Sequence, residues 1–384
     1  MDNPYPSEPK ANHGELPDPF LRTDGSRVAS PKEWAAQADY WRDLIVEMEY
    51  GGMPPDPISF RWEVLCHHEI SAGESRVFNW SYRITTEGGT DPFSFFVRIL
   101  FPKGEGPFPA IIEGDRCWGN LKPEVIRRVL ESGIALISFN RTELAKDLKD
   151  YAWGGGAEKF TRSGGLFDNY PDTTFGTLSA WAWGYQRCVD LLHELSFIDP
   201  EKIAATGHSR GGKTALLAGL TDPRITLIND NASCAAGSPV FRYVGDGGET
   251  LNILNVFPHW FGQGIRAYLD RVAELPFDQH CLLSAIAPRP LLLSFALDDR
   301  WSNPEGMVQS AWAAGEVYRF LGEPDNLAFH LRPGDHSHSL EDWDALLDFI
   351  AWRWHGKQPT CAFQQHPYHH LKPAYSWSPP PAAK

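Results

Sequence analysis

Apolar side chains recur along this chain with two different periods, and the alternation between them predicts strands followed by helices. From Pro31 to about Met48, the residues Trp34, Ala38, Trp41, Ile45 and Met48 fall at the spacing of one helix face. Ser30 precedes Pro31 as a candidate cap, with proline at the first helical position. Arg76 to Thr86 and Phe93 to Phe101 are rich in β-branched and aromatic residues and flank the turn sequence Glu87 to Pro92, which predicts an antiparallel hairpin. Pro109–Gly114 and Ile134–Asn140 are short apolar runs on either side of a helix from about Pro123 to Ser132, the pattern of a parallel βαβ unit. A strong amphipathic helix follows, marked by Leu178, Trp181, Ala182, Tyr185, Val189 and Leu192, and it leads through Asp199-Pro200 to the run Ile203–Thr206. Ile225–Ile228, Pro290–Ala296 and Leu327–Leu331 are three further strands. Asn303-Pro304 opens a helix, and Ser339 to Asp342 forms a capping box for a last one with Trp343, Leu346, Leu347, Ile350 and Trp354 on one face.

These elements predict an α/β protein built as one unit over residues 1–384. Its central sheet is mostly parallel with helices on both faces, a three-layer sandwich, and an antiparallel hairpin precedes it. Residues 1–30, rich in proline and polar side chains, are expected to wrap the surface as an extended arm. Glycine and aromatics crowd between Tyr151 and Thr174, as in a long loop over the carboxyl edge of the sheet. Residues 229–289 form an insertion between two strands that should line the active site. Residues 356–384, with Ser378-Pro379-Pro380-Pro381, are expected to be a surface strap or tail.

Composition narrows the functions. A net charge of −14 argues against nucleic acid, whose phosphates are bound by lysine and arginine. The six cysteines are dispersed without a C-x-x-C pair, so neither a metal site nor a disulfide framework is expected. His366, His369 and His370 are taken as part of a solvated tail rather than as a metal site, and no cofactor is called for. The polar start Met1 to Pro6 lacks the apolar run of a secretory signal, and no stretch is long and apolar enough for a membrane span. The expectation is therefore a cytoplasmic chain unless a leader has been removed, with no membrane partner, working as a monomer. Fifteen tryptophans point either to an aromatic core or to sugar-stacking surfaces.

The chemistry gathers at Gly207-His208-Ser209-Arg210-Gly211, between an apolar strand and a helix-forming run. This is a G-x-S-x-G nucleophile elbow in its strand-turn-helix context, which implies an α/β-hydrolase fold. Gly207 and Gly211 must lack a Cβ so that strand and helix can approach, which pushes the Ser209 hydroxyl out of the sheet edge. A serine hydroxyl needs a neighbouring imidazole to take its proton, and the imidazole needs a carboxylate to fix its tautomer. His336, after the last strand, is the candidate base, with His338 as rival. Asp299 leads as the acid, ahead of Asp298 and Asp230. Arg210 can stabilise an oxyanion through its backbone N–H and its guanidinium, and the loop Gly114 to Trp118 is expected to offer a second N–H. Lys213, four residues past the serine, should point at the same mouth.

Gly207 to Lys213 also fits the elbow G-[CH]-S-R-x-G-K, and the chain resembles the glucuronoyl esterases, carbohydrate esterases of the α/β-hydrolase superfamily, most closely the bacterial-type members. The resemblance extends from Leu16-Pro17-Asp18-Pro19 to about Trp354 and includes Phe139 to Glu143, Ala180 to Gly184, Phe257-Pro258-His259-Trp260-Phe261, Leu275 to His280 and Ala287 to Pro290. It implies hydrolysis of esters between lignin alcohols and the 4-O-methyl-glucuronic acid branches of xylan. It further implies Ser209 as nucleophile, His336 as base, Arg210 as oxyanion donor, and Lys213, Glu249 and Trp301 as contacts of the uronic acid ring, to which Trp260 is added as an aromatic sugar contact. Fungal members carry their catalytic glutamate in an E-S-G-x-G-G segment, where this chain has Asn231-Ala232-Ser233-Cys234-Ala235-Ala236. Many bacterial members place an acid after the next strand, the position of Asp299. Competing readings are an acetyl or feruloyl esterase of hemicellulose fragments, and a catalytically silent carbohydrate-binding homologue.

Overall fold

The computed structural model describes residues 10–72, 75–148 and 162–381; the first part of the predicted 151–174 loop and the ends of both terminal segments lie outside them. The strands are β1 (Ala11–Asn12), β2 (Ser59–Ala72), β3 (Ser75–Glu87), β4 (Phe93–Pro102), β5 (Phe108–Glu113), β6 (Ala135–Phe139), β7 (Ile198–His208), β8 (Leu227–Asn231), β9 (Tyr243–Val244), β10 (Leu291–Ala296) and β11 (Leu327–Arg332). Nine of them form one sheet in the order β11-β10-β8-β7-β5-β6-β4-β3-β2. From β11 to β6 every pair is parallel, and β4, β3 and β2 continue the sheet in antiparallel register.

Alternation along the strands sorts the core into two layers. Ala110, Ile112, Ile203, Ala205, Ile228, Leu291, Leu293 and Phe329 face the helices Pro31–Tyr50, Thr177–Glu194, Arg210–Thr221, Gln279–Ile286 and Pro304–Phe320. Their neighbours Ile111, Leu136, Ala204, Leu227, Leu292 and Ala328 face the helices Pro123–Glu131 and Leu340–His355. Strands buried on both faces are what parallel sheets require, which is why they read as unbroken apolar runs. The last helix starts with the expected capping box between Ser339 and Asp342. Asn303 caps Pro304–Phe320 by accepting from Gly306 N–H. Ser30 behaves differently: its hydroxyl bonds Glu33 Oε1 at 3.2 Å and caps no backbone N–H.

The predicted hairpin is β3 and β4, but β2 extends the sheet beyond it and was not apparent in the sequence. Polar residues such as Arg61, Glu63, His67, His68 and Glu69 fill this edge strand, and a bulge between Val64 and Cys66 breaks its two-residue period. Charged edges of this kind discourage pairing with another chain. At the other side the described part of the N-terminal arm is clamped by the C-terminal strap: Trp377 Nε1 donates to Leu16 O at 2.9 Å, and β1 pairs with β9 inside the 229–289 insertion.

Candidate active site

Three loops bring the predicted residues to the carboxyl edge of the sheet, where open parallel sheets bind ligands. Ser209 follows β7, Asp299 follows β10 and His336 follows β11. Ser209 holds φ 57° and ψ −119°, a left-handed turn that a non-glycine residue keeps only when its surroundings enforce it. A Cβ on Gly207 would strike the Gly211 carbonyl, as expected for the elbow. A Cβ on Gly211 would strike the carboxylate of Asp115, so this second glycine makes room for a side chain rather than for the strand.

His336 Nδ1 lies 2.6 Å from Asp299 Oδ2, and Asp299 is almost wholly buried while the imidazole is partly open to solvent. The rival carboxylates point elsewhere. Asp298 Oδ2 accepts from Gly334 N–H at 2.9 Å and so ties the acid-bearing loop to the histidine-bearing one. Asp230 accepts from Ser233 Oγ at 2.6 Å, and burial pushes it up to about 6. His338 stacks on Trp343 with ring centres 4.8 Å apart, and burial pushes its pKa far down, so it serves the core rather than proton transfer. Between the two histidines stands His208, its ring 4.6 Å from that of His336 and 5.9 Å from that of His338. Burial pushes His208 down to about 3, so it is neutral at ordinary pH, and its Nδ1 is bonded to Asn231 Oδ1 at 2.6 Å.

Arg210 starts the helix after the elbow, and its guanidinium is held from several sides. Nη1 donates to Asp147 Oδ2 at 2.6 Å, and the group lies over the rings of Trp260 at 4.6 Å and Phe257 at 5.1 Å. Asp147 also accepts from Trp260 Nε1 at 3.0 Å and is bonded to His259 Nε2 at 3.2 Å. Burial alone would raise the Asp147 carboxyl, but these bonds and the Arg210 charge hold it well below the usual carboxylate range. Arg210 Nε is buried and has no partner among the described residues, while the side chain as a whole stays 24% exposed. Asp147 was not singled out from the sequence and His259 only as part of the segment Phe257–Phe261, since no local pattern links them to a serine 62 residues from the one and 50 from the other.

The loop after β5 has three of its five amides committed. Gly114 N–H donates to Tyr185 OH at 2.8 Å, Asp115 N–H to Glu113 Oε2 at 2.8 Å, and Trp118 N–H to Asp115 O at 2.9 Å, so these amides are already committed. The loop also supplies the Asp115 carboxylate, which accepts from His208 N–H at 2.7 Å and from the buried Arg141 guanidinium. Arg141 is pressed between Trp118 and Trp181, and burial lowers it to about 10.

Lys213 and Glu249 form the buried side of the site, 2 % and 8 % exposed. Lys213 Nζ donates to Ser233 O and lies 3.8 Å from Glu249 Oε2, which accepts from Ala235 N–H at 3.1 Å. Burial pushes Glu249 up to about 7 against the pull of Lys213. Ala232, Cys234 and Ala236 all take positive φ (49°, 61° and 60°), a left-handed backbone carried by residues other than glycine. Such residues cost on the order of 1–3 kcal/mol each and mark a shape enforced from outside. Trp301 sets its ring edge-on to His336 at 5.5 Å, and its carbonyl accepts from Glu249 N–H at 2.9 Å. Trp260, expected to touch sugar, is only 3 % exposed. Phe257 stacks on its ring at 3.8 Å and Arg210 also lies over it, so it is a platform for the arginine. Among the described residues no cluster of His, Cys, Asp and Glu is arranged to hold a metal, and no helix is long and apolar enough to cross a membrane.

The sheet order, the strained serine elbow and the partners gathered at its mouth define a protein of the α/β-hydrolase type. A family model described as "Glucuronyl esterase, fungi" matches residues 84–322, and 4-O-methyl-glucuronoyl methylesterase 1 of Wolfiporia cocos is 30% identical over 345 residues, covering 86% of this chain and 78% of that one. The chain belongs to the glucuronoyl esterase family. Carbohydrate esterase MZ0003, from an unknown prokaryotic organism, is 39% identical over 191 residues; the match takes in 46% of this chain and 44%, less than half, of that relative. Among solved structures, a family 15 glucuronoyl esterase from Caldicellulosiruptor kristjansonii superposes with a TM-score of 0.79 at 30% identity, over 95% of this chain and 97% of the other. A mutant glucuronoyl esterase from Sporotrichum thermophile, solved with methyl 4-O-methyl-β-D-glucopyranuronate, superposes with a TM-score of 0.72 at 26% identity over 92% of both chains.

Proposed function

We propose that this chain hydrolyses esters of glucuronic and 4-O-methyl-glucuronic acid through an acyl-enzyme on Ser209. The observation that carries the reading is the 2.6 Å pair of His336 Nδ1 and Asp299 Oδ2 at the mouth of the elbow. Asp299 holds the proton on Nδ1, which leaves Nε2 as the base for the Ser209 hydroxyl. Attack on the ester carbonyl develops an oxyanion beside Arg210, whose guanidinium and backbone N–H are the donors. His336 then returns its proton to the departing alcohol, and water repeats the sequence to free the uronic acid. Lys213, Glu249 and Trp301 take the uronate ring on the acyl side.

The named relatives support the substrate class, since they are 4-O-methyl-glucuronoyl methylesterases, and a solved neighbour carries the methyl uronate. The test is hydrolysis of benzyl glucuronate beside p-nitrophenyl acetate by the wild type and by Ser209→Ala, with the acid product quantified. A strong preference for the glucuronate, lost in the variant, supports the reading. Cleavage of acetate alone defeats the substrate class and keeps the nucleophile.

A further inference from the structure

Edge strand β2 changes faces at its bulge, and the change carries two reactive side chains with it. Before the bulge Phe60 and Trp62 pack on the first core layer, and after it Ile70 packs on the second. Leu65 is the extra residue, left without a partner on β3. Without it the two-residue period would put Ile70 on the face of Trp62. Cys66 and His68 share the face of Ile70, which sets them beside Asn79 of β3 and Arg98 of β4. Bulges re-aim side chains in this way.

Three hydrogen bonds link these four side chains, and the first fixes the direction of the others. Arg98 has only donors, and its Nε donates to Asn79 Oδ1 at 2.7 Å. Asn79, itself buried, therefore turns its amide nitrogen toward His68 Nε2, 3.1 Å away. An amide nitrogen can only donate, so Nε2 accepts and the proton of the neutral imidazole sits on Nδ1. Nδ1 lies 3.3 Å from Cys66 Sγ, so its N–H is a donor to the sulfur. A bond of this kind strengthens when its acceptor becomes a thiolate, and the thiolate is the nucleophilic form of cysteine. A nucleophile, an imidazole within hydrogen-bond reach and a third group that orients the ring are the parts from which activated nucleophiles are made.

The other thiols are withheld from such chemistry. Cys188, Cys234 and Cys281 are buried, and burial pushes all three thiols up; it pushes Cys117 and Cys361 up to about 12. Of the six cysteines Cys66 alone is exposed. We infer that Cys66 is a modification site, a thiol set by His68 and Asn79 to exchange with small-molecule disulfides. Cys66 gives its proton to solvent and its sulfur attacks one sulfur of the disulfide. The new S–S bond forms as the old one breaks, and the departing half leaves with the electron pair as a thiolate that takes up a proton. Cys66 is thereby oxidised to a mixed disulfide and the departing half is reduced. On the outermost strand of the sheet, the site is separate from the elbow at β7.

The test is the reaction of the native chain at neutral pH with 2,2′-dithiodipyridine, an uncharged disulfide whose released thione is followed by absorbance. One thiol per chain should react in a fast phase, and peptide mass mapping should find the adduct on Cys66. Cys66→Ser should remove that phase. His68→Phe leaves Cys66 exposed and keeps a ring on the strand but takes away the N–H, and His68→Ala takes away the ring as well. In both variants the fast rate constant should fall about three- to tenfold: a hydrogen bond to an ionised group is worth roughly tenfold in thiolate, and the more basic sulfur left behind recovers part of the loss. The absence of a fast phase, or an adduct on another cysteine, would overturn the inference. So would a rate constant within twofold of the wild type in either His68 variant, because Cys66 would then react through exposure alone.

Discussion

Asn231 Oδ1 and His208 Nδ1 are 2.6 Å apart, and the same histidine ring packs 4.6 Å from the ring of His336. The resemblance to the fungal esterases sets residue 231 against their catalytic glutamate, and His208 stands between that position and His336. Asn231 Nδ2 donates to Ser294 O at 3.3 Å, which turns its oxygen toward His208 and puts the proton on His208 Nδ1. The side chain at 231 therefore bonds the neighbour of His336, while His336 itself is bonded to Asp299, one strand along the sheet.

This arrangement predicts which acid cannot be replaced. Asp299→Ala should lower kcat on benzyl glucuronate by roughly 10³- to 10⁴-fold, the usual effect of losing the group that orients a catalytic imidazole. Adding Asn231→Glu to that variant should not restore activity, because the new carboxylate meets His208 before it meets His336. Recovery of more than about tenfold in the double variant would show that 231 still reaches the base.

The cage around Arg210 makes a second prediction. Arg210→Ala should lower kcat about 10²- to 10³-fold, as loss of an oxyanion donor does. Arg210→Lys should be nearly as poor, since a single ammonium cannot hold Asp147 and face the oxyanion together. Asp147→Asn keeps the guanidinium but loosens it, and a fall of about tenfold in kcat with KM little changed is expected if positioning is its role. Steady-state kinetics on one ester separates the three.

The sequence could place Ser209, Arg210, His336 and Asp299 at the carboxyl edge because each falls within a few residues of a strand end, and strands buried on both faces announce themselves as short apolar runs. Asp115, Asp147 and the Asn231–His208 pair were not legible, because they act through contacts between loops far apart in sequence. Trp260 was misjudged for a related reason: aromatic content says nothing about which face a tryptophan shows to solvent. Edge strand β2, polar and bulged, lacks the period by which strands are recognised.

Buried acids and histidines set opposing pH trends in stability. Burial pushes Glu49 up to about 8, Glu113 and Glu249 to about 7 and Asp230 to about 6. Between the ordinary carboxylate values and these, the folded chain holds protons that the unfolded chain has released, so stability falls as pH rises. Burial pushes His208 down to about 3 and His280 to about 4, and between there and 6.5 the unfolded chain holds the extra protons, so stability rises with pH. The two sets offset each other up to about pH 6.5. Above that the histidines are neutral in both states, and Glu49, Glu113 and Glu249 still titrate. Melting temperature in buffers of matched ionic strength should therefore fall from pH 6.5 to 8, and Glu49→Gln should flatten the upper part of that fall. A rise over this range would mean that these carboxyls are not buried as described.

Gly211 is the tightest test of how the elbow is held. A Cβ there collides with the Asp115 carboxylate, which cannot yield freely because it accepts from His208 N–H and from Arg141. Gly211→Ala should cost about 1–3 kcal/mol, as overpacking does, and because a displacement of about 1 Å at the nucleophile costs roughly 10²-fold, kcat should fall by at least that much. Removing the obstacle does not restore the protein. Asp115→Ala in the same chain clears the space but leaves Arg141 charged and fully buried without its partner, a loss of about 3–5 kcal/mol. Urea unfolding should thus rank the double variant below either the wild type or Gly211→Ala. A double variant as stable as the wild type would mean that Asp115 only fills space, and that the elbow does not depend on the Asp115–Arg141 pair.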